Sequence, residues 1–192
     1  MRAGRLESRK ALPEMKAKEL EAQLVRLHPE SFGWALHCCQ RNRTEAEDVL
    51  QTSYLKVLSG KARYGGKAPF KTWLFGVIRI TALEQRREGA IREEKVLPLV
   101  PRETPNRERR DLLAGLEEKE RVGRLLESLK ALSERQRQVL HLVFYQELTI
   151  SEAAEVMGVS LGTARTHYER GKERLRTLLT MDRNDDRTSQ GL

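Results

Sequence analysis

Cysteine is nearly absent from this 192-residue chain, and the two that occur, Cys38 and Cys39, are neighbours. Adjacent cysteines cannot cross-link distant segments, so a disulfide-stapled secreted domain is excluded. His37 precedes them, but three consecutive residues cannot surround a metal ion tetrahedrally. We therefore expect two reduced thiols and no metal site.

Long hydrophobic runs are also missing. No apolar segment approaches the roughly 18 residues that a membrane span needs, and the polar start lacks the apolar core of a signal peptide. The four histidines are scattered, and neither a glycine-rich phosphate loop nor a nucleophile elbow is present. These absences predict a cytoplasmic protein that has no membrane association, needs no cofactor and is not an enzyme.

Positive charge is in excess. The formal net charge is +8 and the isoelectric point is near 9.7, which favours a polyanionic partner. One third of the residues are charged, and both signs are represented, so the chain is not a simple disordered basic tail. The composition therefore favours DNA, RNA or a machine that holds one of them.

Apolar residues recur at steps of three and four, and no alternating strand pattern occurs, so the sequence predicts an all-α protein. Three of the six prolines, Pro98, Pro101 and Pro105, cluster in a mixed-charge segment that a helix cannot cross. We expect two small helical domains joined by this proline-containing linker, the second carrying a helix-turn-helix. The predicted boundaries are a flexible N-terminus (1–15), a first domain (16–90), a linker (91–110), a second domain (111–181) and a flexible tail (182–192).

The segment 160–175 is the most informative part of the chain. One face of the predicted helix is apolar and would pack inward, with Leu161, Ala164, Tyr168, Gly171, Leu175 and Leu178. Another face carries Thr163, Thr166, His167, Arg170 and Arg174, whose hydroxyl, imidazole and guanidinium groups can reach base edges or phosphates. This pattern is typical of a helix that reads DNA.

The residues before this helix complete a helix-turn-helix. Thr149 and Glu152 have the spacing of a capping box, Gly158 can end the short helix in the left-handed conformation, and Ser160 can cap the next helix. Ser133 and Gln136 repeat the capping spacing before a helix with a predicted inner face of Val139, Leu140, Leu142, Val143 and Phe144. A short helix, a glycine-containing turn and a longer basic helix form the DNA-binding motif.

In the first domain, Thr44 and Glu47 show the same capping spacing, before a helix with Ala46, Leu50, Tyr54 and Val57 inside. A later helix opens with Pro69 and interleaves basic residues with Phe70, Trp73 and Phe75. Aromatic faces stack on unpaired bases while cations hold the backbone, so this segment is a candidate for single-strand binding. The alternative for Trp73 and Phe75 is a place in the core.

Four segments, 44–51, 70–74, 132–140 and 158–163, together resemble the motifs of the bacterial extracytoplasmic-function sigma factors, in order and across about 160 residues. The resemblance implies a factor that binds the clamp and flap regions of core RNA polymerase, melts the −10 promoter element with its first domain and reads the −35 element with its second. It also implies that a separate anti-sigma protein controls the factor.

The resemblance implies three groups of residues. The polymerase-binding group is Asp48, Gln51, Tyr54 and Leu55. The −10 group is Phe70, Lys71, Trp73 and Arg79. The −35 group is Thr163, Arg165, Thr166, His167, Arg170 and Arg174.

Some positions depart from the family pattern. Ile80 stands where asparagine is usual and Glu84 where aspartate is usual, so the −10 base preference does not carry over. The competing interpretation is a helix-turn-helix transcriptional regulator that acts without core polymerase. It would explain residues 163–167, but it leaves residues 44–87 without a role because no phosphoacceptor receiver pattern is present.

Overall fold

A computed structural model describes residues 17–95, 123 and 126–189, with side chains described for 18–90, 123 and 126–180. Within these residues the secondary structure is helical and contains no strand, as predicted. The predicted linker prolines and the predicted N-terminal segment 1–15 lie outside the described residues.

Four helices form the first half. They are α1 (Ala17–Arg26), α2 (His28–Cys38), α3 (Arg43–Leu58) and α4 (Phe70–Lys95). Pro29 lies in the first turn of α2, where its missing N–H costs nothing. The predicted cap of α3 is wrong: Asn42, not Thr44, accepts the N–H of Glu45, because the helix begins two residues earlier than the capping spacing indicated.

The second half contains α5 (Glu134–Leu140), α6 (Ile150–Met157) and α7 (Leu161–Ser189), with a π-helical turn over His141–Tyr145 directly after α5. Both predicted capping boxes of this half are present, at Ser133 with Gln136 and at Thr149 with Glu152. Gly158 ends α6 with φ of 64°, in the left-handed region that glycine enters without strain.

Two expectations about this half are wrong. Phe144 is 64% exposed because the wider π-helical turn rotates it out of the inner face of α5. Leu161 is 45% exposed because it is the first residue of α7 and lies beyond the packed part of its apolar face. Helix α7 extends to Ser189, into the segment 182–192, since no proline or glycine interrupts the sequence between Gly171 and Gly191.

The two halves pack against each other. Helix α4 lies against α6, and the core that includes Trp34, Phe75 and Ile78 is continuous with the core around Leu142 and Met157. Helix α4 reaches Lys95, five residues past the domain boundary expected at 90. Among the described residues, none of the helices combines the length and apolar character that crossing a membrane demands.

Candidate nucleic-acid interface

One face of α7 presents a group of outward-pointing polar side chains. Thr163, Thr166, Arg170 and Arg174 are exposed, and His167 is half-buried beside them. At about 100° per residue these five positions fall on one side of the helix. The side chains can therefore reach a single groove together.

The start of α7 is held by its cap. The Ser160 hydroxyl accepts the N–H of Thr163 at 3.1 Å, and the Thr166 hydroxyl donates to the Gly162 carbonyl at 3.0 Å. The first turn is thereby ordered, with backbone N–H groups directed out of the helix end, where an anion such as a phosphate is favoured. The local sequence explains this geometry, because a serine cap follows the left-handed Gly158.

The opposite side of α7 packs inward. Ala164 and Gly171 are buried, and a side chain on Gly171 would come within 3.1 Å of the Leu140 Cδ1 atom, so the glycine allows α7 to approach α5 closely. Tyr168 stacks on Phe144 with ring centroids 5.8 Å apart. This packing fixes which side of α7 faces solvent.

Arg165 is exposed, but it does not share the face of the other five. It is five residues before Arg170, which turns it about 140° around the helix axis. The six predicted residues therefore divide into a common face of five and one separate arginine.

Helix α3 exposes a second surface. Asp48, Gln51 and Leu55 are exposed, with Leu55 at 65%, and Tyr54 is half-buried. Tyr54 lies 3.3 Å from the His28 ring through its hydroxyl, and burial raises its pKa. Tyr54 and Gln51 line an open cleft of about 420 Å³ together with Phe32. Leu55 is one helical turn from Gln51, so an exposed apolar side chain and a cleft of mixed polarity lie on the same side of α3 and form a candidate protein-binding surface.

The start of α4 carries an aromatic cluster. Tyr64, Phe70 and Trp73 contact one another with all three centroid separations at 5.3 Å. Trp73 borders an open cleft of about 450 Å³, whose lining also includes Arg63, Lys67 and Glu155. Aromatic faces and two cations around one cleft can stack on a base and hold its phosphate.

Lys71 and Arg79 have a different environment, at the contact between the two halves. The Lys71 ammonium lies 2.6 Å from the Glu30 carboxylate and donates to the Gln146 carbonyl at 2.9 Å. The Arg79 Nε atom lies 3.5 Å from Oε1 of Gln138, and burial and the nearby Arg135 lower its pKa. The four residues predicted to bind the −10 DNA strand therefore have two environments. Phe70 and Trp73 belong to the aromatic cluster beside the cleft, and Lys71 and Arg79 lie at the contact between the two halves.

Family comparisons match both halves of the chain. A model described as Sigma-70 region 2 matches residues 24–90, and one described as Sigma-70, region 4 matches residues 128–177. SigX of Bacillus subtilis, an ECF RNA polymerase sigma factor, is 26% identical over 147 residues, which is 76% of each chain. SigE of Mycolicibacterium smegmatis, another such factor, is 30% identical over 163 residues, or 82% of this chain and 60% of that one.

The chain belongs to the extracytoplasmic-function sigma factors. It is an alternative sigma factor that directs RNA polymerase to promoters through two DNA-recognition domains, and this confirms the predicted family over the regulator. The fold agrees: the sigma factor RpoE, solved in complex with the anti-sigma factor NepR from Bartonella quintana, matches with a TM-score of 0.63 at 21% identity. That match covers 86% of this chain and 99% of the other.

Part of this sigma factor's cleft was not predicted from the sequence. Arg63, Tyr64 and Lys67 lie in the loop between α3 and α4, which was expected only to break the chain between helices. A signal was available, because a tyrosine between two cations repeats the aromatic and basic interleaving of residues 70–79. The loop glycines indicate a break in the helix, so the aromatic and basic residues of this loop were not included in the predicted site.

Proposed function

We propose that the common face of α7 reads the −35 element. Thr163, Thr166, His167, Arg170 and Arg174 contact the major groove, and Arg165 contacts a phosphate beside it. Support comes from the exposure of the five side chains on one side of a capped helix that follows a tight turn. Arg170, at the centre of the face, is the best placed for a bidentate contact to a guanine.

The −10 element is assigned to the first domain. Tyr64 and Trp73 form the aromatic side of the cleft, Phe70 packs against both rings, and Arg63 and Lys67 supply cations for the strand backbone. Lys71 and Arg79 join them once the contact between the two halves opens. The main support is the aromatic cluster at the border of an open cleft of about 450 Å³, where an unpaired base could stack.

The outer side of α3 is assigned to the clamp of core RNA polymerase, through Asp48, Gln51, Tyr54 and Leu55. The second domain is assigned to the flap. The main support is the exposed Leu55 together with Gln51 and Tyr54, which line the cleft on the same side of α3.

The chain supplies placement, while polymerase supplies the chemistry, so no reaction is assigned to the factor itself. We place it in the cytoplasm, where bacterial polymerase works. The domains are taken as 16–90 and 111–181 with a linker over 91–110. A separate anti-sigma protein is a further expected partner, and support comes from the similarly folded RpoE, which was solved in complex with one.

The test is reconstitution. The full chain is mixed with sigma-free bacterial core polymerase, co-elution is measured, and transcripts are sequenced from a promoter library. We expect co-elution and transcripts that share −35 and −10 sequences. DNA binding without polymerase association would contradict the proposed function.

A matched pair of variants locates the polymerase surface. Leu55→Ala should weaken association with core, whereas Leu58→Ala, an exposed leucine on the same helix but outside the assigned group, should not. An equal loss of core polymerase association in both variants would contradict binding at the assigned residues of α3.

A further inference from the structure

Among the described residues, several polar contacts join the two halves, and three of them involve basic side chains of α4. Lys71 joins the Glu30 carboxylate to the Gln146 carbonyl, at 2.6 and 2.9 Å. Arg86 lies 3.4 Å from the Glu134 carboxylate. The third is the approach of Arg79 to Gln138. The half-exposed ion pairs at Lys71 and Arg86 contribute little each, so the side chains packed between the halves carry most of the contact.

A stack of aromatic rings lies at the centre of this contact. His37 of α2 stacks on His141 of the π-helical turn with centroids 4.3 Å apart. Trp34 covers His141 at 5.5 Å and His37 at 5.3 Å, and Tyr145 stacks on His141 at 5.0 Å. Two of the chain's four histidines, one from each domain, are therefore in face-to-face contact.

The hydrogen bond at His141 requires a neutral ring. The Gln146 side-chain amide nitrogen lies 3.3 Å from Nε2 of His141 and 3.4 Å from the Glu30 carbonyl oxygen. The carbonyl can only accept, so it orients the amide N–H₂ towards both groups, and Nε2 of His141 must then accept as well. A protonated imidazole would place an N–H against the amide N–H.

The charges around the pair also oppose protonation. Burial, followed by Arg137 of α5 and Arg41 after α2, lowers the pKa of His37 from 6.5 to about 4, with Glu134 acting in the opposite direction. Burial, followed by His37 and Arg41, lowers the pKa of His141 to about 3. The Lys71 and Glu30 pair beside Gln146 is the other charged contact near these rings.

The π-helical turn places His141 in this position. Its wider coil rotates the ring towards Trp34 while Leu142 stays in the core of the second domain. Single π-helical turns within helices occur frequently at functional sites.

We propose that the stacked His37 and His141 rings form an acid-sensitive latch, which holds the two domains closed at neutral pH and releases them when the imidazoles are protonated. The latch itself depends only on the contact between the domains. Its effect on transcription rests on the proposed function, because opening exposes Lys71 and Arg79 for the −10 strand.

The direction follows from proton linkage. At pH 7.5, one unit above the ordinary pKa of 6.5, both imidazoles are largely neutral in the open and the closed form, so closure carries almost no protonation penalty. Below that pH the open form binds protons that the closed form excludes, until the pH approaches the closed-form pKa of about 4 for His37. The equilibrium ratio of the closed form to the open form should thus fall about tenfold per histidine between pH 7.5 and 5.5.

The experiment is small-angle X-ray scattering of the full chain at pH 7.5 and 5.5, with far-UV circular dichroism on the same samples. We expect the radius of gyration to increase at pH 5.5 while helix content stays constant. The double variant His37→Gln/His141→Gln, which cannot be protonated there, should lose most of this pH response. His167→Gln, the same change on the α7 face away from the contact, should keep it.

A charged substitution gives a second test that needs no acid. His141→Lys should open the chain at pH 7.5, and His167→Lys should not. An unchanged radius of gyration in the wild-type chain at pH 5.5 would overturn the latch, as would an equal increase in the double glutamine variant. Loss of helix at pH 5.5 would also overturn it, because acid would then unfold the domains rather than separate them.

Discussion

The assigned −35 surface of this sigma factor is exposed to solvent, whereas the assigned −10 surface is partly covered. The α7 face is open, with four of its five members exposed and a capped first turn. The α4 surface is partly occupied by the other domain, since the Gln146 carbonyl accepts from Lys71 and Glu155 of α6 borders the aromatic cleft. The difference indicates that one surface is prepared for duplex DNA, while the other requires domain separation before a strand can enter.

The largest expected effect contrasts the two tryptophans. Trp34 is fully buried and its indole N–H donates to the Phe75 carbonyl at 3.0 Å, so Trp34→Ala should cost about 3–5 kcal/mol of unfolding free energy. Trp73 is half-buried at the cleft, and Trp73→Ala should destabilise less. Urea denaturation followed by circular dichroism measures both, and equal losses would remove the distinction between core and cleft.

The second prediction concerns the open surface. Arg170→Ala should weaken binding to the −35 duplex by about 1–3 kcal/mol and relax specificity at one base pair, if Arg170 reads a guanine. A salt titration on matched and mismatched duplexes measures this. If Arg170 contacts only phosphate, the loss would be uniform and the salt slope would fall by about one.

Arg176→Ala, at an exposed arginine further along α7 that is directed to another side of the helix, is the control for Arg170. An equal loss there would indicate nonspecific charge. If neither variant lost affinity for the duplex, the assignment of this α7 face to the −35 element would be wrong.

The third prediction concerns the turn that positions α7. Gly158→Ala places a side chain at φ of 64°, which should cost about 1–2 kcal/mol of stability. Gly162→Ala is the control, because its φ is not positive and only the Ser160 hydroxyl is near. Thermal unfolding compares them, and an equal change in both variants would show that the left-handed conformation of Gly158 is not the cause.

The smallest expected effect is on the covered surface. Glu30→Gln removes the charge partner of Lys71 within the first domain, and the gain in strand-binding free energy should be below about 1 kcal/mol because the pair is partly exposed. Binding of the free chain to a −10 single strand should improve slightly. Glu127→Gln, which breaks the exposed pair with Lys130, should leave strand binding unchanged. Weaker strand binding in Glu30→Gln would contradict a blocking role for the Lys71 contact.

Local features of the fold were predictable because their causes lie within a few residues. The capping boxes at Ser133 and Thr149, the left-handed Gly158 and the inner position of Ala164 all follow from spacing and residue type. The cap of α3 was missed because both Asn42 and Thr44 can serve, and sequence alone does not rank them.

Nonlocal features were not predictable. The π-helical turn that exposes Phe144 has no sequence signature comparable to a cap, and it depends on how α5 meets the first domain. The pairing of His37 with His141 joins residues that are distant in sequence across a proline-containing linker. The exposed α7 face could be predicted from periodicity, whereas the contacts of Lys71 and Arg79 depend on the closed arrangement.

The most direct measurement compares binding of the free chain with two labelled DNAs at pH 7.5, a −35 duplex and a −10 single strand, before and after core polymerase is added. The sequences come from the promoter library, and core polymerase alone is the control. We predict that the free chain binds the duplex measurably and the single strand only weakly, and that tight strand binding requires the complete enzyme. Equally tight strand binding by the free chain would contradict the view that the −10 surface is covered until the domains separate.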